Sequence, residues 1–248
     1  VRLRPFGDSG PLIMTFDGME NYYLSQAREW ERYAMIKARQ VAGDVESGQY
    51  LQAMIKPFVY RRYLDYGAFE ELRNLKLQIT QELRRKDRMD NVKLGPGGIR
   101  EIEFIGQAFQ LIRGGQEPAL QQREIQVILA ELDALKLMTS EDVANLQMAY
   151  RFLRRVENHI QEFQDRQAHD LPKDALAQTI LAYSMDFEDW ESFKAELDQI
   201  RASVHAIFEQ VFSISNDTDS RQSNSQLIWA GDEQAVELLG QLDVKEAE

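Results

Sequence analysis

The stretch of this sequence that most restricts its fold is a glycine–proline turn running directly into a helix, residues 93–104, KLGPGGIREIEF. Gly97 and Gly98 allow backbone conformations that other residues avoid, and they leave room for another group to approach closely. A helix that begins here would expose N–H groups able to hold a phosphate. The turn could therefore bind a phosphate, contact a neighbouring domain or pack tightly. We favour packing, because the glycine spacing differs from that of known phosphate loops.

The helix after this turn carries a carboxylate at an apolar angle. Its apolar residues recur at helical spacing, namely Ile102, Ile105, Phe109 and Ile112. Glu101 falls within the same arc, where an unpaired carboxylate would be costly. Glu157 lies in the same way among the apolar residues of a later helix. We predict that both glutamates are buried and that each contacts an arginine or a lysine.

Composition excludes several kinds of site. The 248 residues include no cysteine, which excludes disulfides, thiolate metal sites and a cysteine nucleophile. This usage is compatible with the reducing cytoplasm, where we place the protein. No apolar run approaches the roughly 20 residues that cross a bilayer, so no membrane contact is expected. His159, His169 and His205 lack the spacing of a helical zinc motif and are interpreted as surface or structural residues.

The net charge of -12 is unevenly distributed along the chain. Residues 1–120 hold 18 Lys+Arg against 16 Asp+Glu, and residues 121–248 hold 11 against 25. Only the first part suits phosphate binding, and the acidic second part would repel nucleic acid. We therefore expect no nucleic-acid partner.

The apolar periodicity predicts a mainly α fold. Residues 1–4 and 12–15 alternate like the two strands of a terminal β-hairpin, and residues 213–226 are typical of a polar linker. The last segment contains enough apolar residues for a short helix that docks on another surface. The predicted helices cover residues 17–23, 28–42, 47–55, 68–89, 99–113, 122–137, 140–164, 174–185 and 190–212.

Four segments together resemble the bifunctional glutamine synthetase adenylyltransferase/adenylyl-removing enzymes: 2–12, 30–39, 97–104 and 151–158. The glycine turn alone is also similar to the uridylyltransferases that modify the PII signalling protein. The resemblance implies two fused copies of a polymerase-beta-like nucleotidyltransferase domain, each followed by a helical bundle. One copy attaches AMP to a tyrosine of glutamine synthetase, and the other removes it by phosphorolysis, which yields ADP.

Residues 111–118 and 154–158 are more similar to the first, AMP-removing copy. The resemblance then implies that residues 1–43 end a nucleotidyltransferase domain. Residues 44–212 would form a helical bundle like that of the PII uridylyltransferases, and residues 213–248 an acidic linker with a short helix. The alternatives are a piece of the adenylylating half or a non-catalytic helical module that binds a regulatory protein such as PII.

The resemblance also implies which groups surround the reaction. The family's metal-binding aspartates would lie upstream of Val1, so no catalytic residue and no ligand of Mg²⁺ is assigned here, and we expect this chain alone to be inactive. ATP, ADP and phosphate would be substrates or products, and glutamine synthetase and PII the partners. Candidates to line the phosphate or nucleotide cleft are Arg2, Arg4, Lys37, Arg39 and Lys93, because basic side chains, above all the forked guanidinium, suit phosphate. An ion pair with a core-facing acid such as Glu101 is the alternative for each arginine.

Overall fold

In a computed structural model the described part of the chain is helical wherever it is regular. The structure describes residues 4–62, 77, 81, 85, 89–163, 165 and 168–218. Eight α-helices and two short 3-10 helices, Gly7–Ser9 and Pro118–Gln121, lie in these ranges. The α-helices are α1 (Phe16–Ser25), α2 (Glu29–Met35), α3 (Val45–Val59), α4 (Ile99–Arg113), α5 (Ile125–Ala134), α6 (Ser140–Glu162), α7 (Ala175–Ser184) and α8 (Trp190–Thr218).

The chain divides into two compact units. Unit 1 comprises Val1–Ala68 and Gln107–Ile128, and unit 2 comprises Phe69–Gly106 and Leu129–Glu248. The predicted domain limits at 43 and 212 stay predictions. None of the described helices has both the length and the apolar character needed to cross a membrane.

The predicted hairpin is not confirmed. Residues 12–15 form no strand, and the described part of the chain contains just one isolated β-bridge, between Asn91 and Asp170. A strand requires a paired neighbour, and here the Thr15 side chain instead accepts a hydrogen bond from the Gly18 N–H as the cap of α1. Residues 1–3, the predicted first strand, lie outside the described residues.

Several predicted helix limits were wrong. Helix α2 ends at Met35 instead of residue 42, because i,i+3 hydrogen bonds from Ile36, Lys37 and Ala38 replace the α-helical pattern. Helix α3 continues through Pro57, which sits in its last turn, where one lost hydrogen bond matters less. The helix predicted for residues 68–89 lies mostly outside the described residues.

Helix α8 continues to Thr218, so the predicted linker from Ser213 is wrong in its first six residues. The polar side chains of this stretch do not prevent a helix that has already begun, because extending a helix is far easier than starting one. Residues 219–248, the rest of the predicted linker and short helix, lie outside the described residues.

A buried arginine organises unit 1. Arg32 is 1% exposed. Its Nε donates to the carbonyl of Val59 at 2.7 Å and its Nη2 to that of Leu111 at 2.8 Å. These carbonyls lie in the last turns of α3 and α4, where helices carry partial negative charge and unpaired acceptors. One cation therefore caps two helix ends.

Glycine permits the chain to close beside these ends. A Cβ on Gly114 would lie 2.6 Å from the Tyr60 ring, and one on Gly115 only 1.8 Å from the Arg61 carbonyl oxygen. The segments after α3 and α4 can therefore touch only because both residues lack side chains. The predicted helix 99–113 ends just before this glycine pair, and the structure adds the close packing.

Unit 2 is built around three helices. Helices α6, α7 and α8 pack against one another, and the start of α8 joins an aromatic cluster. Phe193 is fully buried there. Its ring contacts those of Phe152, Phe187 and Trp190.

We predict that Arg32→Ala destabilises the protein by about 3 kcal/mol, because it leaves two buried carbonyls without their charged donor. The measurement is urea unfolding followed by circular dichroism. Arg39→Ala is the matched control. This side chain is exposed, so the free energy of unfolding should change by less than about 0.5 kcal/mol. Equal effects of the two substitutions would contradict the capping role.

Candidate functional site

The glycine–proline turn is shaped by the side chain of Asn91. This fully buried residue accepts hydrogen bonds at Oδ1 from the N–H groups of Lys93 and Leu94, at 3.1 and 2.8 Å. Its Nδ2 donates to Asp170 at 2.9 Å. A side chain that mimics a backbone acceptor is a known way for asparagine to make a turn. The segment 91–94 is thus fixed just before the first glycine of the turn.

Gly97 lies directly on the backbone of α8. Its φ is +67°, and a Cβ there would lie 1.9 Å from the carbonyl oxygen of Arg201. The Arg201 side chain reaches around the turn and donates to Pro96 O at 2.9 Å and to Met89 O at 3.0 Å. Burial lowers the pKa of Arg201, against the opposing effect of acids that include Asp198.

Glu101 closes the turn from the other side. Its side chain is fully buried. One carboxylate oxygen accepts from the Gly97 N–H at 2.8 Å, and both lie 3.2 Å from Nδ1 of His205. The predicted burial of Glu101 is confirmed. Its described side-chain partner is His205, and its charge also acts on Arg201. The predicted direct contact with an arginine or a lysine stays a prediction. Arg201 and His205 are one helical turn apart on α8, so one helix face holds both ends of the turn.

This geometry decides between the three uses considered for the turn. The Gly97 N–H is taken by the protein's own carboxylate, and the space beside Gly97 is filled by backbone. A phosphate would have to displace both. The described turn is therefore a packing element.

Glu157 provides a second buried carboxylate. It is 3% exposed, and its oxygens lie 2.6 Å from Arg154 Nη1 and 3.0 Å from His169 Nδ1. Both its burial and its arginine contact are as predicted. Burial raises the pKa of Glu157, but the His169 hydrogen bond and the charges of Arg154, His169 and Lys93 outweigh it and hold the pKa below its usual range.

His169 connects this carboxylate to the turn. Its carbonyl accepts from the Val92 N–H at 2.8 Å, beside the Asn91–Asp170 bridge. The sequence interpretation of His169 and His205 as structural residues fits these contacts, but it did not pair them with the two glutamates. Their spacing from Glu157 and Glu101 offered no signal. The i,i+4 pair Arg201 and His205 could have indicated a polar face on α8.

The predicted cleft residues fall into both units. Arg4 is half-buried and donates from Nε to Gly7 O at 2.8 Å, the exposed Lys37 donates to the Arg123 carbonyl, and Arg39 is exposed. These three belong to unit 1. Lys93, half-buried near Glu157, belongs to unit 2. Arg2 lies outside the described residues, so a phosphate-binding role for all five stays a prediction.

The described residues do not offer a magnesium site. No group of three histidine, aspartate or glutamate side chains in this part of the chain could hold a metal ion. Glu101 and Asp170, two of the acids beside the turn, already accept hydrogen bonds from the Gly97 N–H and from Asn91. These residues therefore do not fit the role of Mg²⁺ ligands.

Two family models match successive parts of the chain. A glutamate-ammonia ligase adenylyltransferase model covers residues 1–54, and a GlnD PII-uridylyltransferase model covers residues 73–212. Each model covers only part of the chain, so the family is assigned from relatives that match most of it. A bifunctional glutamine synthetase adenylyltransferase/adenylyl-removing enzyme of Methylococcus capsulatus is 57% identical over 86% of the chain. The chain belongs to this family.

Other members agree. The enzymes of the same name from Thioalkalivibrio sulfidiphilus and Nitrosococcus oceani are 50% and 52% identical over 100% and 94% of the chain. The chain covers 27% and 24% of these two proteins and 22% of the first. It therefore spans about a quarter of the length of these adenylyltransferases.

We predict that Gly97→Ala destabilises the protein by about 3 kcal/mol or more, because the new Cβ would overlap the Arg201 carbonyl. The measurement is chemical unfolding. Gly7→Ala is a matched control, since Gly7 has a similar φ of +58° but nothing within 4 Å of its Cβ position. This control should lose only the 1–2 kcal/mol or so of left-handed strain. Similar losses at both sites would show that packing on α8 is unimportant.

We also predict that Glu157 stabilises the protein in a pH-dependent way. Its pKa in the fold is lowered from the ordinary 4.5, so its stabilisation is present above that value and is lost as the pH falls through the folded pKa. Glu157→Gln should cost about 3 kcal/mol near pH 6, and the difference from the native protein should shrink as the pH falls below 4.5. Unfolding at a series of pH values measures this, with the exposed Glu141→Gln as control. A difference that does not vary with pH would contradict the prediction.

Proposed function

We propose that this chain is part of an enzyme that controls glutamine synthetase by adding and removing AMP. The observation that carries this proposal is the match of a relative whose name includes both activities, at 50% identity across 100% of the chain. The protein would act in the cytoplasm, with glutamine synthetase as its substrate and PII as a regulatory partner.

We propose further that the chain belongs to the half that removes AMP. The similarity of residues 111–118 and 154–158 to that copy supports the assignment. In the reaction, an oxygen of inorganic phosphate bonds to the phosphorus of the AMP group. The bond from that phosphorus to the tyrosine oxygen breaks, the tyrosine oxygen takes up a proton, and ADP leaves.

The residues of this chain would support the reaction by position and charge. Phosphoryl transfer depends mainly on aligning the groups and on neutralising their charge. Phosphate oxygens would be bound by basic side chains, namely Arg2, Arg4, Lys37, Arg39 and Lys93. The hydrogen bond from the Lys93 N–H to Asn91 would hold the backbone of Lys93 in place. Mg²⁺, bound by aspartates upstream of Val1, would supply further charge neutralisation when present.

The test is release of ADP from adenylylated glutamine synthetase in the presence of phosphate and Mg²⁺. A longer protein with the nucleotidyltransferase domain upstream of Val1 should release ADP, whereas the 248-residue chain should not. Turnover by the 248-residue chain would overturn the placement of the active site. If the longer protein is folded but releases no ADP, two readings remain. Addition of AMP with ATP would favour the adenylylating half, and no addition would favour a PII-binding module.

Within the longer protein, Arg4→Ala should lower the rate of ADP release about tenfold, equivalent to about 1.4 kcal/mol of transition-state stabilisation. Arg155→Ala is the control. Arg155 is an exposed arginine of unit 2 whose partner, Asp186, is also exposed, so its loss should leave the rate unchanged. Equal rates of ADP release for the unsubstituted protein, Arg4→Ala and Arg155→Ala would show that Arg4 does not line the cleft.

A further inference from the structure

Lys37, one of the predicted phosphate ligands, contacts a second basic residue that the sequence analysis did not select. Its ammonium group donates a hydrogen bond to the carbonyl of Arg123, 86 residues further along the chain. Both side chains are exposed, and both residues belong to unit 1. Arg123 forms no ion pair with any residue that the structure describes. Like charges repel each other, so an anion bound between these two cations would be stabilised by both.

Tyr60, also in unit 1, adds a third hydrogen-bond donor beside Arg123. Burial raises the pKa of Tyr60 to about 12, and the charge of Arg123 acts in the opposite direction, which shows that the guanidinium lies near the phenol. The hydroxyl therefore keeps its proton at neutral pH, and it donates to no described residue. An ammonium, a guanidinium and a phenol all donate hydrogen bonds, and phosphate oxygens accept them.

The second half of α4 holds this donor set in place. Gln110 is fully buried, and its Nε2 donates to the carbonyls of Leu120 and Gln122 at 2.8 and 2.6 Å. The backbone just before Arg123 is therefore fixed by α4. The Tyr60 ring lies against Gly114, just after the same helix. Donors on a fixed backbone lose less conformational freedom when a ligand binds.

Two other roles for these cations fit the contacts less well. The first is capping of the ends of α3 and α4, but Arg32 already donates to the carbonyls of Val59 and Leu111 there. The second is pairing with a nearby acid. Glu124 follows Arg123 directly and is exposed, yet the structure shows no ion pair between Glu124 and either cation.

We propose that Arg123 and Tyr60 act together with Lys37 as a binding site for phosphate oxygens. This inference rests on the proposed function, in which inorganic phosphate is a substrate and ADP is a product. The planar fork of Arg123 would bind two oxygens at once. The Lys37 ammonium would add a point charge, and the Tyr60 hydroxyl would donate one further hydrogen bond.

Titration of the 248-residue chain with inorganic phosphate, and separately with ADP, tests this site without any reaction. Isothermal titration calorimetry measures the dissociation constants. Arg123→Ala should weaken binding about tenfold or more, and Arg123→Lys, which keeps the charge but loses the fork, should weaken it less. Arg155→Ala is the matched control. It removes an exposed arginine of unit 2 and should change binding by less than about twofold.

The two probes distinguish the sources of the phosphate group. Tighter binding of ADP would assign the site to the product, and equal or tighter binding of inorganic phosphate would assign it to the attacking substrate. Because the Arg123 side chain is exposed, its variants should unfold in urea at the native midpoint. Failure of the native chain to bind either probe, or unchanged binding by Arg123→Ala, would overturn the proposal.

Kinetics of the longer protein with the upstream nucleotidyltransferase domain provide a second test. Arg123→Ala should raise the KM for phosphate about tenfold and change the KM for adenylylated glutamine synthetase by less than about twofold, because only a phosphate contact is lost. Equal changes in both KM values would contradict a phosphate-binding role. If the longer protein releases no ADP, the proposed function fails, and the titrations of the 248-residue chain still decide whether Arg123 binds phosphate.

Discussion

The burial of one carboxylate determines the arrangement of the glycine–proline turn. Glu101 is fully enclosed, and an ionised carboxylate without partners would be very costly there. Its oxygens are met by the Gly97 N–H and by His205. The His205 contact brings the turn and the start of α4 directly against α8, and only a glycine at position 97 permits that approach. The turn, the start of α4 and the middle of α8 are thereby fixed together.

Elsewhere the fold again pairs buried charge with backbone or an opposite charge. Arg32 bonds to carbonyls at two helix ends, Arg201 to carbonyls on either side of the turn, and Glu157 to Arg154 and His169. Hydrogen bonds to charged groups are stronger than neutral ones, but the loss of one partner is correspondingly costly. These charged residues hold the helices and the glycine–proline turn in position. This positioning is what they would contribute to the proposed function. The candidate phosphate ligands are different residues, and of the four that the structure describes, Lys37 and Arg39 are exposed and Arg4 and Lys93 are half-buried.

The expected function rested on the similarity of four short segments to a known family. The apolar periodicity indicated helices and buried residues but no function. Periodicity indicated the helices around Glu101 and Glu157 and placed both acids in the core, because angle along a helix follows directly from position. It overestimated α2 and ended α3 and α8 too early. Helix ends depend on competing local hydrogen bonds and on packing, neither of which periodicity contains. Family membership was recognisable from residues 2–12, 30–39, 97–104 and 151–158, whereas the roles of Arg4 or Lys93 were not.

By itself, the sequence determined the mainly helical character, the two buried acids and the unusual flexibility available at Gly97 and Gly98. Only the tertiary structure decided what those features are used for. His205 lies 104 residues from Glu101, and Arg32 lies 79 from Leu111. Partners so distant in sequence come together only when each unit packs. The same packing filled the space beside Gly97 with the backbone of α8, so the turn serves as a packing site and not as a phosphate loop.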